Sequence, residues 1–165
     1  MSEVPEYILK RVFNAPVALV WKAWTTPELL QRWYGPGAKT TVHKFDLQPD
    51  GLWLNEMAWG EKSNFQKVIF KEVVLEKKIT WHHHSCTDAN WEDMSNPMMP
   101  DWPRLLFTEI TFTGNDDTTT VLLKQVPMDA TQAEIDCFTK MMSNMDGGWG
   151  SGYKIIDEII QELRE

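Results

Sequence analysis

Residues 131–165 read TQAEIDCFTKMMSNMDGGWGSGYKIIDEIIQELRE, and the fold turns on how this stretch is read. Thr131 followed by Glu134 is a capping box, in which each side chain satisfies the other residue's backbone N–H, so a helix is predicted to start here. Beyond it Ile135, Phe138, Met142, Met145, Trp149, Ile156, Ile159, Ile160 and Leu163 fall at helical spacing and keep one face apolar to the end of the chain. Gly147, Gly148, Gly150 and Gly152 interrupt that pattern. Each costs about 1 kcal/mol relative to Ala inside a helix. Two causes are consistent with them: the helix breaks or kinks there, or another backbone passes too close for side chains. A long, Met-rich, locally weak helix suits an element laid against a sheet.

Working back to the start, Glu6–Phe13 alternates as a strand, with Tyr7, Leu9 and Arg11 on one face. Asn14-Ala15-Pro16 opens a helix striped by Val17, Val20, Trp21 and Trp24, with Pro16 near the first turn. Thr26-Pro27 stops it and starts a second short helix carrying Leu29, Leu30, Trp33 and Tyr34, which Gly35-Pro36-Gly37 ends. Strands follow. Lys39–Leu47 and Leu52–Trp59 flank the turn Gln48-Pro49-Asp50-Gly51, and alternation puts Trp53, Asn55, Met57 and Trp59 on one face. Phe65–Leu75 and Lys78–Ser85 meet at a turn near Glu76-Lys77. Cys86–Pro103 is a polar loop with Trp91 and Trp102, of a length that is usually functional or disordered. Arg104–Thr113 and Thr118–Val126 form the last hairpin across residues 114–117. The predicted class is α+β: a curved antiparallel sheet of about six to seven strands wrapped around a long C-terminal helix, with two short helices after the first strand.

A chain of 165 residues with 42% hydrophobic and 24% charged residues is read as one soluble globular domain, residues 1–165. Nine Trp and nine Met are unusual; rigid aromatics and soft thioethers fill a core, and they also line cavities and interfaces. A net charge of −8, with a pI near 5.0, argues against nucleic acid or an anionic membrane as partner. Cys86 and Cys137 form no disulfide framework, Met1–Tyr7 has no apolar signal core, and no run reaches the roughly 18 apolar residues of a span. The expected location is cytoplasmic.

Asn14-Ala15-Pro16, Val20-Trp21-Lys22-Ala23-Trp24, Thr26-Pro27-Glu28 and Trp33-Tyr34-Gly35-Pro36 together resemble the opening signature of the SRPBCC superfamily. Pro49-Asp50-Gly51 with Trp53, Thr119–Leu123, Ala130-Thr131 with Glu134, and Gly148-Trp149 extend the likeness over almost the whole chain. Within the superfamily the chain is most similar to homologues of the activator of the heat-shock-protein-90 ATPase, in that activator's C-terminal domain and not its N-terminal half. The turn carries Asp50-Gly51 where these relatives usually have two glycines. The resemblance implies a helix-grip fold like the birch-pollen allergen and START domains, a cavity between curved sheet and last helix, and a possible chaperone partner in the stress response.

For chemistry, His82-His83-His84 and Cys86 draw attention first. Extended alternation puts His82, His84 and Cys86 on one face, but His82 and Cys86 would stand roughly 13 Å apart, so no metal site is expected. His83 falls on the inner face with Ile79 and Trp81 and is read foremost as a hydrogen-bonded core residue. Glu56 and Glu109 alternate outward, whereas Glu72 shares a face with Val68 and Phe70 and is the better inward carboxylate. His83 and Glu72 are therefore the weak catalytic candidates. Asp88, Glu92, Asp93 and Asp101 lack the spacing of a calcium loop, and the Gly147–Gly150 run follows a helix and not a strand, so no nucleotide site is read there.

The aromatic and Met inventory fits either a filled core or an apolar pocket of Trp53, Met57, Trp81, Phe112, Met142 and Trp149, with Asn55 and His83 as polar anchors and the Cys86–Pro103 loop over its mouth. The leading expectation is a non-enzymatic binder of a small hydrophobic or aromatic molecule, without cofactor, as monomer or homodimer. The alternatives are a chaperone-associated module acting through its surface, and a cyclase- or hydrolase-like enzyme using His83 or Glu72.

Overall fold

The computed structural model describes residues 4–35, 37–115 and 117–164. Pro36 of the expected helix stop and Asp116 of the last hairpin turn lie outside the described residues. The elements run β1 (Tyr7–Phe13), α1 (Val17–Thr25), α2 (Pro27–Trp33), β2 (Lys39–Phe45), β3 (Leu52–Trp59), β4 (Lys62–Val74), β5 (Lys78–Thr87), β6 (Leu105–Gly114), β7 (Thr119–Pro127) and α3 (Gln132–Arg164). All seven strands join one antiparallel sheet in the order β1-β7-β6-β5-β4-β3-β2. Only β1 leaves the meander, pairing with β7 as an edge. This is the expected α+β helix-grip architecture.

Local chemistry sets the element ends. Pro16 caps α1 and Pro27 occupies the first turn of α2, where a missing N–H is harmless. The capping box forms at the start of α3: Thr131 N–H donates to Glu134 Oε1 at 3.0 Å, and Glu134 N–H donates to Thr131 Oγ1 at 3.2 Å. Between β2 and β3, Asp50 has φ 65°, and a Cβ on Gly51 would lie 2.0 Å from the Asp46 carbonyl oxygen, so only Gly fits there.

α1, α2 and α3 cover the inner face of the sheet. Trp24 and Trp33 meet edge to face at 4.6 Å, and Trp33 Nε1 donates to the Ala23 carbonyl at 2.8 Å. Tyr153, Ile156, Ile159 and Ile160 bury the second half of α3, while the first half buries only Phe138 to the same degree. The core is thus densest at one end of the helix and thins toward its middle.

α3 runs unbroken through Gly147–Gly152, and at Gly147, Gly148 and Gly150 an added Cβ would meet nothing within 4 Å. The helix does not break there, and no other backbone comes close at those three positions. They leave room, not close contact. Two bulges also shift the expected faces. An extra residue at Lys71 separates the pairs Phe70↔Trp81 and Glu72↔Thr80, and Ser85–Cys86 contribute two residues opposite Gln66 alone. Each inserted residue reverses the in–out alternation beyond it. Trp59, expected on the inner face, ends β3 nearly half exposed.

Candidate functional site: a cavity beneath the last helix

The thin middle of the core contains a cavity of about 270 Å³ between α3 and the sheet. Its helical side is Trp33, Tyr34, Met145, Gly148, Trp149 and Gly152. Its sheet side is Met57, Gln66, His83, Ser85, Leu106 and Gln125. Gly35 and Trp102 complete it. Gly35 has φ 73°, and a Cβ there would lie 2.5 Å from Met57 Sδ, so this wall also requires Gly. Gly148 is exposed and Gly152 buried, so the helix turn between them runs from the cavity mouth to its interior.

None of these lining residues is Asp, Glu, Lys or Arg. His83 is buried, and loss of hydration, with a smaller contribution from His84, pushes its imidazole down to about 4, so it is neutral near pH 7. Trp81 Nε1 donates to His83 Nδ1 across 3.4 Å, which leaves the ring proton on Nε2. Gln125 Nε2 donates to Thr108 Oγ1 at 3.0 Å, and Ser85 Oγ donates to the Pro103 carbonyl at 2.6 Å. Burial also raises the Tyr34 phenol well above its usual value, keeping it protonated. The polar groups facing the cavity are therefore uncharged.

Beside this wall, Asn55 is the cross-strand partner of Gln66 and is 1% exposed. Neither its Nδ2 nor its Oδ1 has a partner among the described residues, and Gln66 Oε1 has none either. Unpaired buried amides are uncommon, because each loses its water without replacement.

The sequence profile of the family described as Activator of Hsp90 ATPase homolog 1-like protein matches residues 14–161. The chain belongs to this family. Solved structures share its fold. Protein Ms6760 from Mycobacterium smegmatis superposes with a TM-score of 0.76 at 19% identity, over 96% of this chain and 95% of that one. A Staphylococcus epidermidis protein solved by NMR gives 0.78 at 19% identity, over 100% and 94%. Protein NE0264 from Nitrosomonas europaea gives 0.71 at 24% identity, over 96% and 95%. At these identities the likeness carries the fold alone. No curated protein matches the sequence.

In this member of the Hsp90 ATPase activator homolog family, three of the eight expected pocket residues, Met57, His83 and Trp149, line the cavity. Asn55 stands behind Gln66. Trp53, Trp81 and Phe112 are spent in the packed core: Trp53 lies between Tyr34, Phe45, Phe70 and Trp81, and Phe112 between Trp21 and Trp24. Met142 packs on the core edge, one helical turn before Met145, which takes its expected place.

Glu72 is corrected. The bulge at Lys71 turns it outward, where it is exposed and pairs with Lys78 at 3.0 Å. Glu109 meets the same lysine at 3.4 Å, and Glu56 binds His43 and Ser63, each at 2.8 Å, so both keep the outward positions expected of them. His83 faces the cavity, but Ser85 Oγ is committed to Pro103 and supplies no nucleophile paired with it. The second bulge removes Cys86 from the expected His82–His84 face and buries it, while His84 pairs with Asp93 at 2.9 Å. Among the described residues no three His, Cys, Asp or Glu side chains gather for a metal ion, and no helix is long and apolar enough to cross a membrane.

The expected lid divides in two. Trp102 reaches the cavity and packs on Phe138 at 5.6 Å. Trp91, with φ 64°, sits elsewhere, edge-on to Phe65 at 5.3 Å and His43 at 5.5 Å. Gln66, Ser85 and Gln125 were not foreseen as lining residues. Gln125 had a signal, as a polar residue in phase with Val121 and Leu123 on a buried strand face.

Proposed function

We propose that the protein binds a small, uncharged, largely apolar molecule in this cavity and performs no chemistry on it. The carrying observation is the make-up of the wall: aromatic and Met surfaces from the helices, a few neutral polar groups from the sheet and, among the described residues, no charged side chain. Ligand pockets are commonly built this way, and the volume lies near the lower end of their usual range of about 300–1,000 Å³. A small aromatic suits it better than a long acyl chain.

The test is native mass spectrometry on freshly purified protein, followed by thermal shifts against uncharged aromatics. A co-purified mass, or a melting shift that saturates and disappears in Gly148→Phe, supports the reading. Gly148 is chosen because a side chain there enters open space at the mouth. An empty protein that responds to no compound, yet co-purifies with a chaperone, would transfer the reading to a surface-acting module of the kind the family description suggests. Turnover with a pH profile lost in His83→Ala would transfer it to an enzyme.

A further inference from the structure

Resting on that reading, we propose that Gln66, His83 and Gln125 form a neutral hydrogen-bonding row that selects the ligand: a flat, uncharged molecule with hydroxyl or carbonyl groups along one edge, against carboxylates and plain hydrocarbons alike. The row crosses the inner face of the sheet on β4, β5 and β7. Opposite it, the helices and Trp102 present ring faces and thioether surface from Trp33, Trp149 and Met145. The sheet wall carries most of the hydrogen-bonding groups, and the helical wall, apart from the Tyr34 hydroxyl, mainly packs. A ligand that satisfies both has an apolar body and one polar edge.

The row has both kinds of vacancy. The Nε2–H of His83 is a donor, and the unpaired Gln66 Oε1 is an acceptor. Gln125 commits its Nε2 to Thr108, which leaves its carbonyl as a further acceptor. A hydroxyl group both donates and accepts, so it serves either kind. Buried amides of this sort disfavour a hydrocarbon, which would cover them and return no hydrogen bond. A carboxylate is disfavoured for a different reason. It would lose hydration with no Lys or Arg among the described lining residues to compensate. The neutral imidazole at the centre of the row supplies a donor but no charge.

The experiment compares four probes on the full chain at pH 7 by titration calorimetry: a dihydroxynaphthalene, naphthalene, naphthoate and decanoate. The diol is expected to bind roughly tenfold or more tightly than naphthalene, with naphthoate and decanoate weakest. In the near-isosteric double variant Gln66→Met, Gln125→Met, the diol is expected to lose most of that advantage while naphthalene binds as before or better. Near-UV circular dichroism checks that the variant is folded, and the wild-type ranking stands without it. Naphthalene equal to the diol, or a carboxylate binding best, would overturn the selective row and leave the binder intact. No binding by any probe, with no response to any other uncharged aromatic, would overturn both.

Discussion

Tyr7 Oη donates a 2.6 Å hydrogen bond to Asp146 Oδ1, joining the first strand to α3 at the residue just before Gly147. Tyr7 is buried, and burial together with Asp146 raises its phenol well above the usual value, so it is a donor throughout the neutral range. The bond fixes the start of the glycine-rich segment, and Arg11 holds Asp157 at 2.6 Å beyond its end. Tyr7→Phe is expected to cost about 1–2 kcal/mol, as a hydrogen bond to a charged acceptor is lost. Urea unfolding of the two proteins, compared at equal m-value, reads this directly.

Gly147 faces open space on an exposed helical position. Gly147→Ala should stabilise the fold by about 1 kcal/mol, since Ala loses less backbone entropy and nothing obstructs its methyl. Gly51→Ala, by contrast, must move the Asp46 carbonyl or the turn, and is expected to destabilise by about 2 kcal/mol or more. Opposite signs for the same substitution, read by melting temperature, would separate a glycine that leaves space from one required by close contact.

His83 makes stability pH-dependent on the acid side. Its folded value is about 4 against an ordinary 6.5, so above 6.5 it is neutral in both states and contributes nothing to the dependence. As pH falls from 6.5 toward 4, the unfolded chain takes up a proton that the folded chain refuses, and stability drops by up to about 3 kcal/mol. His83→Asn should remove that component. The check is the difference between wild-type and variant unfolding free energies from pH 7.5 to pH 4, which cancels the same-direction shift of His82.

The two tryptophans of the 88–104 segment should behave differently. Trp102→Ala opens one wall of the cavity and is expected to weaken ligand binding roughly tenfold or more. Trp91→Ala should leave binding unchanged, because its ring packs on His43 and Phe65 and does not line the cavity. Trp91→Gly is expected to be about 1 kcal/mol more stable than Trp91→Ala, since φ is 64° and both lack the ring. Titration calorimetry reads the first two outcomes and urea unfolding the third.

The elements were legible because their signals are local. The capping box at Thr131 and Glu134, the prolines at 16 and 27 and the turn at Asp50-Gly51 each act within a few residues, and period-two alternation carried the inward positions of Trp53, Asn55 and Met57 on β3 and of His83 on β5 and the outward one of Glu109 on β6. Alternation failed where an inserted residue broke it. Lys71 and the Ser85–Cys86 pair are silent in the sequence, since a bulge depends on the partner strand, and they moved Glu72 and Cys86 from their expected faces.

The sequence by itself therefore determined the α+β class, the order of the elements and the burial of His83. Only the tertiary structure decided which aromatics fill the core and which border empty space. That choice depends on how α3 lies across the sheet, a long-range arrangement that sets Trp53 and Trp81 among other rings and leaves Trp149 and Trp102 facing a gap. It also decided where the glycines stand: Gly148 and Gly152 border the cavity, and a side chain at Gly148 would enter open space.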